Sequence, residues 1–179
     1  MVTQVIISIS ILAVMLLLRN LVSVFPSLVA CVIRTKEIIN LEASVKLSRN
    51  RDIIAVVMVP VFCLLASKYS LYDISLLEGK SPDARLGLTS AVFILYILFR
   101  TAISKIMKPQ RIPKKTYNTV ENASRTFFSV LSLLLLACAG VFSVIGADLM
   151  VTRSAMLWIS AIIYFIFIIR KTEIFFSCC

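Results

Sequence analysis

FFSVLSLLLLACAGVFSVIGA, residues Phe127 to Ala147, runs for 21 residues without a charge. The hydrocarbon core of a bilayer is about 30 Å thick and takes roughly 17–25 apolar residues of helix to cross. This stretch meets that requirement by itself. The apolar run is continuous, whereas the strand of a membrane barrel alternates between lipid-facing and lumen-facing residues. A helix also satisfies its backbone polar groups internally, which lipid demands. The segment therefore predicts a transmembrane helix, and with it the fold class of the whole chain.

Four further segments resemble it. Val2–Leu18, Ile53–Ser67, Leu86–Phe99 and Ser154–Ile169 are free of charge. Lys68, Arg100 and Arg170 extend the shorter ones by reaching out to the headgroups. The expected spans are about 2–18, 53–70, 86–104, 127–147 and 153–170. Stopping the first at Leu18 keeps Arg19 away from the bilayer centre, where an arginine costs about 2.5–3.5 kcal/mol. Residues 21–49 then form an interfacial helical segment, with a break or kink at Pro26. Within it, Ile38, Leu41 and Val45 share one helix face, and Glu42 and Lys46 stand at i,i+4. The expectation is an all-α membrane protein: a bundle of about five transmembrane helices with one or two cytoplasmic interfacial helices.

Composition agrees. Of 179 residues, 60% are hydrophobic, against roughly 45–50% in a soluble domain, and the mean hydropathy is +0.98. So apolar a chain cannot present a polar surface on all sides. The spans leave no room for a separate soluble domain, so residues 1–179 read as one polytopic domain. The N-terminus lacks a basic leader and a small-residue cleavage site, which predicts that the first span is retained.

The formal charge is +10, and its distribution orders the topology. The segments after spans one, three and five hold fifteen of the basic residues, and those after spans two and four hold four. Basic loops favour the cytoplasmic side. The N-terminus is expected outside and the C-terminus in the cytoplasm. The densest polar stretch holds Lys105, Lys108, Arg111, Lys114, Lys115 and Arg125, candidates for contact with anionic lipid headgroups or with an acidic partner. Aromatic interleaving of the kind that grips nucleic acid is missing there, so nucleic acid is not an expected partner. Pro109 and Pro113 make 108–114 a poor helix.

Chemistry-bearing patterns are few. The chain has five cysteines and no histidine, no CxxC, and none of the GxSxG, Walker, HExxH or GxGxxG motifs. No catalytic residue, metal or cofactor is implied. Acidic residues fall in loops, which disfavours an ion-coupled carrier, and no internal repeat of the kind found in transporters stands out. Gln4, Ser8 and Ser10 suit hydrogen bonding within or between helices. Ala139, Ser143 and Ala147, at i, i+4 and i+8, form a small-residue stripe suited to close helix packing, within the chain or between chains. Trp158, Tyr69 and Tyr72 suit membrane-interface anchors. Asn122-Ala123-Ser124 matches a glycosylation sequon but is expected on the cytoplasmic side. Cys178-Cys179 is too short a pattern to mark lipidation or metal binding.

The run from Asn40-Leu41-Glu42 to Arg49-Asn50-Arg51-Asp52, directly followed by a span, and the segment Arg170-Lys171-Thr172-Glu173-Ile174-Phe175-Phe176 resemble an uncharacterised family of small bacterial multi-pass inner-membrane proteins, a domain of unknown function. The resemblance implies a polytopic helical protein of the bacterial inner membrane and assigns no activity or site. The family pattern continues into a further apolar segment. Here Ile174–Cys179 begins such a run and stops, which leaves open a shorter form or a further span. A non-enzymatic subunit or scaffold of an envelope membrane complex is the leading expectation, with a membrane-protein partner or a homo-oligomer. The alternative is a small transporter or channel, followed by a membrane-embedded lipid-modifying enzyme.

Overall fold

The computed structural model describes residues 2–71, 81–106 and 114–177. Six helices account for nearly all of them: α1 (Val2–Ile33), α2 (Thr35–Ala43), α3 (Val45–Lys68), α4 (Pro82–Ile106), α5 (Lys114–Ile145) and α6 (Leu149–Ser177). No strand occurs among the described residues. The chain is an all-α membrane protein. Four helices are each long and apolar enough to cross a bilayer, and the two arms of α1 reach that length and apolarity only when taken together. Tyr72, Asp73, Glu78, Lys108, Pro109, Arg111, Pro113, Cys178 and Cys179 lie outside the described residues.

The first helix is bent. Its arms, Gln4–Leu16 and Leu18–Ile33, meet at 72°, so Arg19 sits beside the elbow. The first arm is mostly exposed apart from Ser10. The second turns Val24, Leu28 and Cys31 inward, all fully buried. Their spacing of three or four residues is one helical face. Pro26 lies within this arm.

A break at Ser44 separates the next two helices. Ser44 is extended (φ −92°, ψ 106°) and N-caps α3, its hydroxyl accepting from the Leu47 N–H at 3.5 Å. Lys36–Arg49 is thus two helices rather than one, and Glu42 and Lys46 fall on opposite sides of the break. α3 then runs on through Arg51 and Asp52 into its apolar stretch. Its buried face, Arg51, Ile54, Ala55, Met58, Val61, Cys63, Leu65 and Ala66, makes it the hub against which α1, α4 and α5 pack.

Helix α5 is unbroken for 32 residues. It ends at Gly146, whose φ of +71° suits a residue without Cβ. The Ala147 N–H donates back to the Phe142 carbonyl at 3.0 Å, the six-to-one closure of a glycine-terminated helix. The tight turn sends α6 back along α5, where Met156, Ile163 and Ile174 are buried.

Helix α4 is attached differently. Leu86 and Thr89 are buried at its start, and Phe93 stacks with Phe62 of α3 and Phe128 of α5, with ring centroids 5.3 to 5.5 Å apart. Beyond Phe93 the helix is exposed as far as Ile103, and Ile97, Arg100 and Thr101 line a groove. Each aromatic pair contributes about 0.5–1.5 kcal/mol beyond its area burial. Phe62→Ala removes two of the three ring contacts and leaves a cavity, so it is expected to destabilise the bundle by about 3–5 kcal/mol. The check is the thermal unfolding midpoint in detergent, beside the exposed control Phe99→Ala, which should stay near wild type.

Candidate functional site

Two arginines organise the end of the bundle at which α1 finishes and α3 begins. Arg51 is fully buried, an environment that strongly disfavours an unpaired charge. Its guanidinium spends donors in every direction. Nε and Nη2 donate to Oδ1 of Asp52 at 3.0 and 2.8 Å, Nη2 donates to Ser48 Oγ at 3.1 Å, and Nη1 donates to Glu42 Oε1. The break at Ser44 makes this possible, because it folds α2 back so that Glu42 reaches a residue nearly two turns inside α3. The carboxylates then extend the network to α5. Asn122 Nδ2 donates to Glu42 Oε2 at 3.0 Å, and Arg125 Nη1 pairs with Asp52 Oδ2 at 3.2 Å. Three helices are joined through one buried cation.

Arg170 does the same for the last carbonyls of α1. Its Nε donates to the Val32 carbonyl at 3.2 Å and Nη2 to the Ile33 carbonyl at 2.5 Å. A helix C-terminus leaves carbonyls without partners and carries a partial negative charge, so a guanidinium from α6 satisfies both needs. Nη1 also donates to Glu173 Oε2 at 2.7 Å, and the Thr35 hydroxyl at the start of α2 donates to the same carboxylate. Arg51 and Arg170 therefore fasten α1, α2, α3, α5 and α6 at one end, and among the described residues α4 takes part in neither cluster.

Beside the Arg51 cluster lies a groove of about 570 Å³. Its floor is α3 and α5 and its walls are α4 and α6, two helices without extensive contact with each other. Val59, Phe62, Phe93, Phe128 and Leu131 line the apolar part, and Asp52, Arg100, Thr101, Glu121, Ser124 and Arg125 line the polar end. The volume lies within the roughly 300–1,000 Å³ of small-molecule sites.

Of the residues singled out in the sequence, Arg125 stands in this groove, half-exposed and paired with Asp52. Lys108 and Arg111 are outside the described residues, and the side chains of Lys105, Lys114 and Lys115 are not described. The small-residue stripe divides. Ala139 is buried in the core, Ser143 is exposed and Ala147 half-buried. Gly140, next to Ala139, is exposed, with open space where a Cβ would stand. Gln4 and Ser8 are exposed, while the Ser10 hydroxyl is buried without a hydrogen-bond partner among the described residues. Tyr69 is buried rather than placed as a surface anchor, and Lys68 lies 5.2 Å from its ring centre. Trp158 is 70% exposed. Among the described residues no group of three acidic or cysteine side chains is placed to hold a metal. No known protein family, curated protein or solved structure matches the chain.

Arg51 and Arg170 are the site residues that loop-by-loop charge counting passed over. The sequence does carry a signal for Arg51. It directly precedes a long uncharged stretch, with Asp52 beside it and Glu42 nine residues earlier. Arg51→Met leaves the largely buried Glu42 carboxylate without its cation and Asp52 with Arg125 alone, and is expected to cost about 3–5 kcal/mol. Arg125→Ala, at a 53% exposed position, is expected to cost no more than about 1 kcal/mol. Denaturant unfolding in micelles checks the contrast, and adding Glu42→Gln to Arg51→Met should recover part of the loss.

Proposed function

We propose that this multi-pass membrane protein is a non-enzymatic subunit or scaffold of an envelope membrane complex. The observation that carries this reading is the use made of the charges at one end of the bundle. Arg51 and Arg170, with Glu42, Asp52 and Glu173, each engage other helices of the same chain. Buried ionisable groups in membrane proteins commonly serve transport or proton movement. Here they set the mutual positions of five helices, which is what a rigid assembly element requires.

The far half of α5 supplies a surface for a partner helix. Gly140, Ser143 and Ala147 lie at i, i+3 and i+7, and small residues let two helix backbones approach closely. Val141, Val144 and Ile145 beside them are exposed. In the same reading the Arg51 end faces the cytoplasm of a bacterial inner membrane, and its basic loops lie against anionic headgroups. The resemblance of the 40–52 and 170–176 segments to small bacterial inner-membrane proteins supports that placement.

Ser143→Leu is the informative variant, because Ser143 is exposed whereas Ala139 is already packed inside the chain. The tagged protein, gently solubilised from its membrane, is expected to bring down a stoichiometric membrane protein or a second copy of itself, and Ser143→Leu to abolish that association with the unfolding midpoint unchanged. A monomer in both cases overturns the proposal. Orientation is checked separately by fusing green fluorescent protein, which folds only on the cytoplasmic side, to the C-terminus. The fusion is expected to fluoresce.

A further inference from the structure

We propose that the groove between α4 and α6 is a binding site for one phospholipid with a zwitterionic, primary-ammonium headgroup, entered sideways from the bilayer. The shape sets the general class. One end is lined by Val59, Phe62, Phe93, Phe128 and Leu131, which suits an acyl chain, and the other by charged and hydroxyl side chains. A molecule apolar along its length and charged at one end matches both. The groove stays open because α4 and α6, its two walls, do not pack extensively on each other.

The polar end narrows the headgroup. Among the described residues four charged side chains line it: Asp52, Arg100, Glu121 and Arg125. Asp52 and Arg125 are paired with each other, and Asp52 is held by Arg51 as well. Their charges are already answered within the protein. Arg100 and Glu121 make no side-chain hydrogen bond or ion pair among the described residues. Among the described residues the uncommitted charge is therefore one cation and one anion. A phosphodiester beside an ammonium group offers the opposite pair, the phosphate to the Arg100 guanidinium and the ammonium to the Glu121 carboxylate. A headgroup with only a negative charge would leave Glu121 unanswered and place it close to a like charge. A choline headgroup would present methyl groups where Glu121 needs N–H donors. Thr101 and Ser124 also line the groove, their hydroxyls donating to the Ile97 and Glu121 carbonyls and leaving oxygen lone pairs to accept. The site uses neither Ser143 nor a partner helix, so it stands apart from the assembly surface on α5.

The experiment uses the full chain in nanodiscs of mixed composition, read by native mass spectrometry after gentle release. The probes are palmitoyl-oleoyl phosphatidylethanolamine, phosphatidylglycerol and phosphatidylcholine at equal amounts. One phosphatidylethanolamine per chain is expected to survive release in preference to the other two. Glu121→Gln is expected to cut that preference about tenfold and to leave phosphatidylglycerol retention equal or higher. Arg100→Gln is expected to reduce retention of all three phosphate-bearing lipids. Phe93→Trp, which fills the apolar part, is expected to lower retention of every lipid with the headgroup residues intact. The thermal midpoint of each lipid-free variant separates loss of binding from loss of fold. Equal retention of the three lipids, or a preference unmoved by Glu121→Gln in a folded protein, would overturn the assignment. Preferential retention of phosphatidylglycerol would do the same.

Discussion

A guanidinium removed from water has to find its counter-charges within the fold, and the arrangement of this bundle follows from where Arg51 finds them. Desolvating such a cation costs several kcal/mol, and the cost is offset only by good geometry and a full set of hydrogen bonds. Asp52 alone leaves donors unused. Glu42 completes the set, but only if α2 folds back at Ser44, so the break in the helix and the buried arginine require each other. The same carboxylates draw in Asn122 and Arg125, which fixes where α5 crosses α3. Arg170 repeats the solution on α1, where the counter-charge is the end of a helix rather than a side chain.

These charges act in addition to apolar packing. Inside lipid there is little hydrophobic drive to press helices together, because acyl chains are as apolar as leucine, so association depends on close packing and polar contacts. Polar contacts dominate at the Arg51 end. Close packing dominates in the middle, through Leu135, Met156, Ile54 and Met58. Helix α4 has the aromatic cluster and its buried first turns, and nothing comparable toward its C-terminal end. The groove is the space that this unequal attachment leaves.

Much of the architecture is legible in the sequence, because span length and the absence of charge are local properties. FFSVLSLLLLACAGVFSVIGA needs no partner to be recognised as a membrane helix. What the linear text hides is pairing between distant positions. The Glu42–Lys46 spacing reads as a helical pair, yet Ser44 intervenes and Glu42 answers Arg51. That choice depends on the free energy of burying Arg51, which appears only once α3 has neighbours. Arg170 reads as a charge at the end of a span, and the carbonyls it meets are 137 and 138 residues away. The small-residue stripe is visible as spacing, but α5 packs on α3 and α6 on a face that takes Ala139 in and leaves Ser143 out. The groove has no signature in any short segment, because its lining comes from four helices.

The cap on α1 also has a consequence in time. Ribosomes emit α1 first, with Val32 and Ile33 ending it, and Arg170 follows only after four further helices have been made. Until then those carbonyls have water or headgroups as partners. Arg51, by contrast, meets Glu42 and Asp52 as soon as α3 emerges. The corner of α2 and α3 can thus set early and co-translationally, with α1 already packed on α3, while the polar cap on the end of α1 waits for α6.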